Sequence, residues 1–190
     1  EQLPLKVVGV SPCFRREVGS HGQSDLGIWR VHQFTKVEQI VIAKPEDSWE
    51  LHEELLQNCI DLWNELGLHY EVVNICTGDM GTVAARKYDI EAWLPGASQY
   101  KEVVSCSNCT DYQANRLQIK YGQPGHSNQP IVHTLNSTAV ATSRALVAIM
   151  EQNQLADGSV KIPEVLIPLM GGQATVSYTH LTLPTKSRVW

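Results

Sequence analysis

The sequence predicts an α+β fold, an antiparallel β-sheet flanked by helices, and three observations carry that expectation. Six runs rich in β-branched and aromatic residues follow one another at 5–10, 29–43, 70–75, 88–94, 101–105 and 131–134, punctuated by glycine, proline and polar residues. One stretch, 48–66, repeats apolar residues at helical spacing, and another, 138–150, is apolar with few polar interruptions. Strands in succession with helices on one side, rather than strict alternation of the two, place the chain in the α+β class.

The first two runs, 5–10 and 29–43, enclose a glycine-rich polar segment over 19–27, the signature of an antiparallel hairpin with a long tip. The helix at 48–66 shows Leu55, Leu56, Cys59, Ile60, Trp63 and Leu66 on one face, Asp47 placed as an N-cap three residues before Glu50, and Gly67 just past its end. Runs 70–75, 88–94 and 101–105 extend the sheet. A polar loop at 122–129 leads to run 131–134, and the apolar 138–150 stretch reads as a buried helix, with Gly158 closing the region.

With 190 residues and 43% hydrophobic content the chain can bury a core as one domain. Fifteen Lys and Arg against twenty Asp and Glu give a formal charge of −5, so no overall field favours a polyanion and any nucleic-acid contact must be local. No apolar run is long enough to span a bilayer, and the five cysteines are odd in number and scattered, which fits a soluble protein of the reducing cytoplasm.

On the 29–43 strand side chains alternate between faces, so Arg30, His32, Phe34, Lys36 and Glu38 are expected to project from one side of the sheet. That pattern fits either a solvated sheet face or, because Phe34 sits among cations, a platform for a planar base. Arg15 and Glu17 share a face of the preceding strand, where a guanidinium fits either a bidentate clamp on a phosphate or carboxylate or a cross-strand ion pair. Taken alone, Asn136-Ser-Thr138 reads as a helix cap. Cys106 and Cys109 form a C-x-x-C, but His126 and His133 are seven apart, unsuited to complete a tetrahedral zinc site, so buried thiols are expected.

Ser11-Pro-Cys-Phe-Arg-Arg-Glu17 followed by Arg30-Val-His-Gln-Phe-Thr-Lys-Val-Glu38 closely resembles motif 2 of serine-tRNA ligases. Thr134-Leu-Asn-Ser-Thr-Ala-Val-Ala-Thr-Ser-Arg144, Asp157-Gly158 and Pro163-Glu-Val-Leu166 resemble motif 3 and the C-terminal end of the same family. Between them Thr77-Gly-Asp-Met-Gly81, Tyr88-Asp-Ile-Glu91 and Glu102-Val-Val-Ser-Cys-Ser-Asn-Cys-Thr-Asp-Tyr-Gln113 keep the family's order and spacing, so the resemblance covers 3–172.

The resemblance implies a class II aminoacyl-tRNA synthetase-like fold and an enzyme that activates L-serine with ATP and Mg2+ and loads it onto tRNA(Ser). Arg15 would bridge the serine carboxylate and the ATP α-phosphate, and with Arg144 would be catalytic. Glu17 would contact the adenine amino group, Phe34 would stack on the ring, and Arg30 and Arg144 would hold the polyphosphate, with Arg16, Val31, Val103 and Val104 beside the nucleotide. Glu102 and Ser105 would bind the metal and ATP; three apart on a strand, they can meet one ion only if the strand twists or bulges. Arg15, Glu38, Asn136 and Thr138 would hold serine. Two alternatives share these residues: an adenylating homologue that loads a carrier protein, and an inactive paralogue serving as a binding or dimerisation module.

The family's N-terminal helical arm, its motif 1 dimer interface and its Thr-Ala-Glu loop have no counterpart in this sequence. The chain is therefore expected to be a partial catalytic domain over 1–172, from a protein that is a homodimer when complete. Residues 173–190 do not resemble the family, and Ser177-Tyr-Thr-His-Leu-Thr-Leu-Pro-Thr-Lys186 resembles a translated sequencing adaptor; the segment is expected to be a non-native tail.

Overall fold

The computed structural model describes residues 2–16, 27–123 and 125–177. Six strands, β1 (Leu5–Phe14), β2 (Gln33–Ala43), β3 (Tyr70–Asn74), β4 (Arg86–Leu94), β5 (Gln99–Asn108) and β6 (His133–Ala141), form one sheet in the order β1-β2-β6-β5-β4-β3. Every neighbouring pair is antiparallel, which bears out the predicted class. Two small strands, β7 (Val160–Lys161) and β8 (Thr175–Val176), pair separately. Residues 178–190 of the expected tail lie outside the described residues, as do 17–26 of the hairpin tip.

Helix α1 (Ser48–Glu65) covers one face of the sheet. Its buried residues, Ser48, Leu51, His52, Leu55, Leu56, Cys59 and Trp63, follow the three- and four-residue spacing of one helical stripe. They join Val41, Ile90, Val104, Cys106 and Leu135 of the strands in one core, with Trp63 fully buried. A side chain of that kind contributes about 1.5–3 kcal/mol when removed from water. Gly67 follows the helix at a φ of +66°, the left-handed turn that glycine accepts without a Cβ clash.

Three expectations need correction. Asp47 makes no side-chain cap; it ends a 3₁₀ turn (Pro45–Asp47), and it is the Ser48 hydroxyl that closes this turn by donating to the Pro45 carbonyl at 3.0 Å. Residues 29–43 are not one strand, because a 3₁₀ turn (Gly27–Trp29) tucks Trp29 into the core before the chain enters β2 at Gln33. The apolar 138–150 stretch is not one buried helix either. Residues 138–141 finish β6, and α3 (Thr142–Gln152) buries only Ala145 and Ala148, leaving Leu146 and Met150 exposed. Small side chains permit close approach, so little apolar area is hidden there. A short helix, α2 (Tyr112–Leu117), was not foreseen.

Candidate active site

The sheet face opposite α1 carries Phe34, Glu38, Glu102, Ser105, Asn136 and Thr138 of the predicted site, and strand register decides which of them meet. On β2, Phe34, Lys36 and Glu38 alternate with the core-facing residues, so they share this face. Arg30 and His32 precede the strand and do not belong to that row, which corrects the expected five-residue alignment. Arg15 follows β1; its backbone N–H donates to the His32 carbonyl at 2.9 Å and its Nε to the Val31 carbonyl at 3.1 Å. Its guanidinium lies 5.1 Å from the Phe34 ring centroid, a cation–π contact. Arg15, Val31 and Phe34 are thereby brought together at one end of the hairpin. Arg16 is exposed beside them, and Glu17 lies outside the described residues.

Further along β2, Glu38 is opposite Thr138 on β6. Its carboxylate accepts from Thr138 Oγ1 at 3.1 Å and Asn136 Nδ2 at 3.2 Å, and pairs with Lys36 Nζ at 2.8 Å. Three predicted serine-site residues thus form one hydrogen-bonded group. Asn136 and Thr138 lie inside a strand, which overturns the helix-cap reading of Asn136-Ser-Thr138. Ala139 is a bulge: Glu38 pairs with Thr138 and Val37 with Val140, leaving Ala139 without an opposite number.

A second bulge answers the question posed by Glu102 and Ser105. Ile90 pairs with Val104 but Glu91 with Glu102, so Val103 is the extra residue. Val103 and Val104 both enter the core, at 2% and 1% exposure, while Glu102 and Ser105 turn to the opposite face together. What Val103 and Val104 offer a ligand is therefore backbone. Glu102 also draws in Arg144 from the first turn of α3, whose Nη1 donates to the Glu102 carbonyl at 2.8 Å and to its carboxylate at 3.2 Å. Strands β5 and β6 pair only from Cys106 to Asn108, and Arg144 bridges from the start of α3 to β5 beyond that pairing.

Several groups here were not singled out in the sequence. Asp89 on β4 stands opposite Ser105, its side chain is almost wholly buried, and its Oδ1 has no hydrogen-bond partner among the described residues. Burial pushes its carboxyl above the usual range and Glu102 adds to this, against the opposing pull of Lys87, 3.2 Å away, and of the Ser105 hydroxyl. Burial also raises Glu91, helped by Glu71, Asp89 and Glu102. Trp29 lies under two cations, Arg144 at 5.3 Å and Lys101 at 5.4 Å from its ring centroid. These residues line a cleft of about 350 Å³ with Glu91, Gln99, Tyr100 and Glu102. The period-two pattern of β4 could have flagged Asp89 and Glu91, which alternate with the core-facing Tyr88, Ile90 and Ala92; Trp29 carried no such signal.

Cys106 and Cys109 are buried thiols, as expected. Burial pushes the Cys106 thiol up to about 12. No group of three or more potential metal-ligating His, Cys, Asp or Glu is present among the described residues, and no helix there is long and apolar enough to cross a membrane.

A six-stranded antiparallel sheet with one face under a helix, and a polar face of arginines, carboxylates and a hairpin aromatic opposite, is the architecture of a class II tRNA synthetase core. The family described as "tRNA synthetase class II core domain (G, H, P, S and T)" matches residues 1–153, and the chain belongs to it. Within it the likeness is to serine-tRNA ligases. The chain is 62% identical over 173 residues to that of Methanocella arvoryzae, covering 90% of this chain and 41% of the relative. It is 58% identical over 166 residues to that of Archaeoglobus fulgidus, covering 87% and 37%. Among solved structures, seryl-tRNA synthetase from Pyrococcus horikoshii complexed with ATP superposes with a TM-score of 0.88 at 56% identity, covering 92% of this chain and 39% of that one. The cytoplasmic serine-tRNA ligase from Naegleria fowleri in complex with AMP also reaches 0.88, at 48% identity, covering 94% and 42%. The chain thus spans about two fifths of the length of the relatives it matches.

Proposed function

We propose that this chain is the catalytic-domain part of a serine-tRNA ligase that converts L-serine and ATP to seryl-adenylate and transfers the seryl group to the 3′ end of tRNA(Ser). The observation that carries this reading is the Glu38–Asn136–Thr138 group, set on the same sheet face as Arg15 with Phe34 and as Glu102 with Ser105. A substrate hydroxyl or ammonium meets an acid already fixed by three donors, with Thr138 beside it for the other group, while the nucleotide has its own aromatic and cationic partners.

In the first step a serine carboxylate oxygen attacks the α-phosphorus, the α–β phosphoanhydride bond breaks, and pyrophosphate departs with that electron pair. Negative charge builds on the α-phosphoryl oxygens, where the Arg15 guanidinium, already oriented by the Val31 carbonyl, acts as a preorganised donor. Phe34 would receive the adenine and Arg30 and Arg144 the polyphosphate; Glu17 would take the adenine amino group. In the second step a terminal ribose hydroxyl of tRNA attacks the seryl carbonyl, the acyl–phosphate bond breaks, AMP leaves with that electron pair, and the hydroxyl proton passes to the departing phosphate or to water. Of the roughly four acceptor positions on the Glu38 carboxylate, three are occupied within the protein, leaving one for substrate. A site so committed to hydrogen bonding rejects analogues without a hydroxyl by about 10⁴-fold.

The oxygen donors of Glu102 and Ser105 suit Mg2+, and Asp89 Oδ1, buried on the strand position opposite Ser105 with no hydrogen-bond partner among the described residues, would be a further hard donor. When bound, the metal would neutralise charge on the phosphates. Homodimerisation and tRNA binding are assigned to the rest of the protein, in the cytoplasm. The relatives are serine-tRNA ligases, which favours tRNA over a carrier protein as acceptor, and the presence of Arg15, Glu102 and Arg144 speaks against an inactive paralogue. The test is ATP–pyrophosphate exchange by the full-length protein. Exchange that depends on serine and is absent with alanine is expected; no exchange with serine, or equal exchange with alanine, would refute the reading.

A further inference from the structure

Behind the serine group, on the α1 side of the sheet, lies a chain of hydrogen bonds that the chemistry above does not use. Asn58 Nδ2 donates to Gln39 Oε1 at 2.8 Å, and Gln39 Nε2 donates to the Leu55 carbonyl at 3.3 Å and towards Cys59 Sγ at 3.2 Å. Cys59 Sγ in turn lies 3.3 Å from Ser137 Oγ and donates to the Thr138 carbonyl at 3.4 Å. Gln39 and Ser137 are register partners, one residue on from Glu38 and one residue back from Thr138. Cys59 and Ser137 are fully buried.

The location gives this chain its meaning. Ala139 drops out of the β2–β6 ladder, and the peptide entering the bulge is the one whose carbonyl belongs to Thr138. A buried backbone carbonyl beside such a break in register gains from a side-chain donor. Here it is met by the Cys59 thiol and by Ser137 Oγ, at 3.4 Å each. The thiol is kept protonated, and so a donor, by burial. Helix α1 is thereby tied to the point where β6 re-aims the Thr138 hydroxyl at Glu38.

We propose that Cys59, supported by Gln39 and Ser137, is a positioning residue for the serine end of the site, acting by holding the β6 bulge from behind. The proposal rests on the serine-ligase reading. It separates the two substrates, because the hydrogen-bond chain stands behind Glu38 and Thr138 and not behind Arg15 or Phe34.

The test is pyrophosphate exchange by the full-length protein, with KM measured separately for serine and ATP. Cys59→Ala is expected to raise the serine KM about tenfold while the ATP KM stays within about twofold, since small displacements of positioning groups act on the substrate they orient. Cys59→Ser, which keeps a donor, is expected to return the serine KM to within about threefold of wild type, and Ser137→Ala, an independent variant should Cys59→Ala not fold, is expected to behave like Cys59→Ala. A serine KM unmoved in either folded variant, a failure of Cys59→Ser to rescue Cys59→Ala, or a parallel rise in both KM values, would overturn the proposal. If wild type itself lacks serine-dependent exchange, the serine-ligase reading falls, and this inference with it; active wild type with indifferent variants removes the inference alone.

Discussion

Arg144 meets both the backbone carbonyl and the carboxylate of Glu102 through a single nitrogen, Nη1, so its planar guanidinium can hold Glu102 and still turn a second N–H edge towards a phosphate, which a lysine ammonium cannot do in the same geometry. Arg144→Lys is therefore expected to lower the kcat for pyrophosphate exchange by roughly 10²-fold with little change in Tm. Asp89 is governed by its surroundings in another way. Because burial raises its folded pKa above the ordinary 3.8, its favourable contribution is complete below that value and is lost as pH rises through the folded pKa. Thermal unfolding followed from about pH 3 to about pH 8 should show Asp89→Asn gaining on wild type as pH rises, with the gap closing in acid. A gap that widens in acid would contradict this assignment. Residue identity made Arg15, Glu38 and Arg144 legible in the sequence through motif strings. Trp29 was not, because its role beneath two cations depends on a turn that propensity alone read as strand.

At the level of elements, α1 and the succession of strands follow from patterning, while the strand order, which sets β6 between β2 and β5, and the joints between elements do not. Glu102 and Ser105 can share a face only if the strand twists or bulges between them, and the structure has a bulge there at Val103. The Ala139 bulge was invisible, because an alanine between β-branched residues looks the same in a regular ladder. The start of α1 was misjudged for a related reason: an Asp three residues before a Glu resembles a capping box, yet Ser48 makes the contacts. Its hydroxyl donates to Pro45 O and lies 2.8 Å from His133 Nδ1, while Asn108 Nδ2 donates to its carbonyl at 3.2 Å. Ser48→Ala should cost about 1–2 kcal/mol, read as a lower urea midpoint at unchanged m-value; Asp47→Ala should cost far less.

Taken whole, the molecule divides its sheet by face. One side is closed by α1 around Trp63, so that Trp63→Ala should cost about 3–5 kcal/mol and depress Tm without redirecting substrate preference. The other side holds cations and carboxylates in a chain whose formal charge is −5, in line with local rather than global recognition of an anionic substrate. That division is the claim on which the functional reading stands. It is tested most directly by a crystal structure of the full-length protein with a non-hydrolysable sulfamoyl analogue of seryl-adenylate. The account predicts the adenine against Phe34, the sulfamoyl group at Arg15 and the seryl hydroxyl and ammonium within hydrogen-bonding distance of Glu38 and Thr138. An analogue bound away from this face, or on it with the seryl group remote from Glu38, would contradict the account.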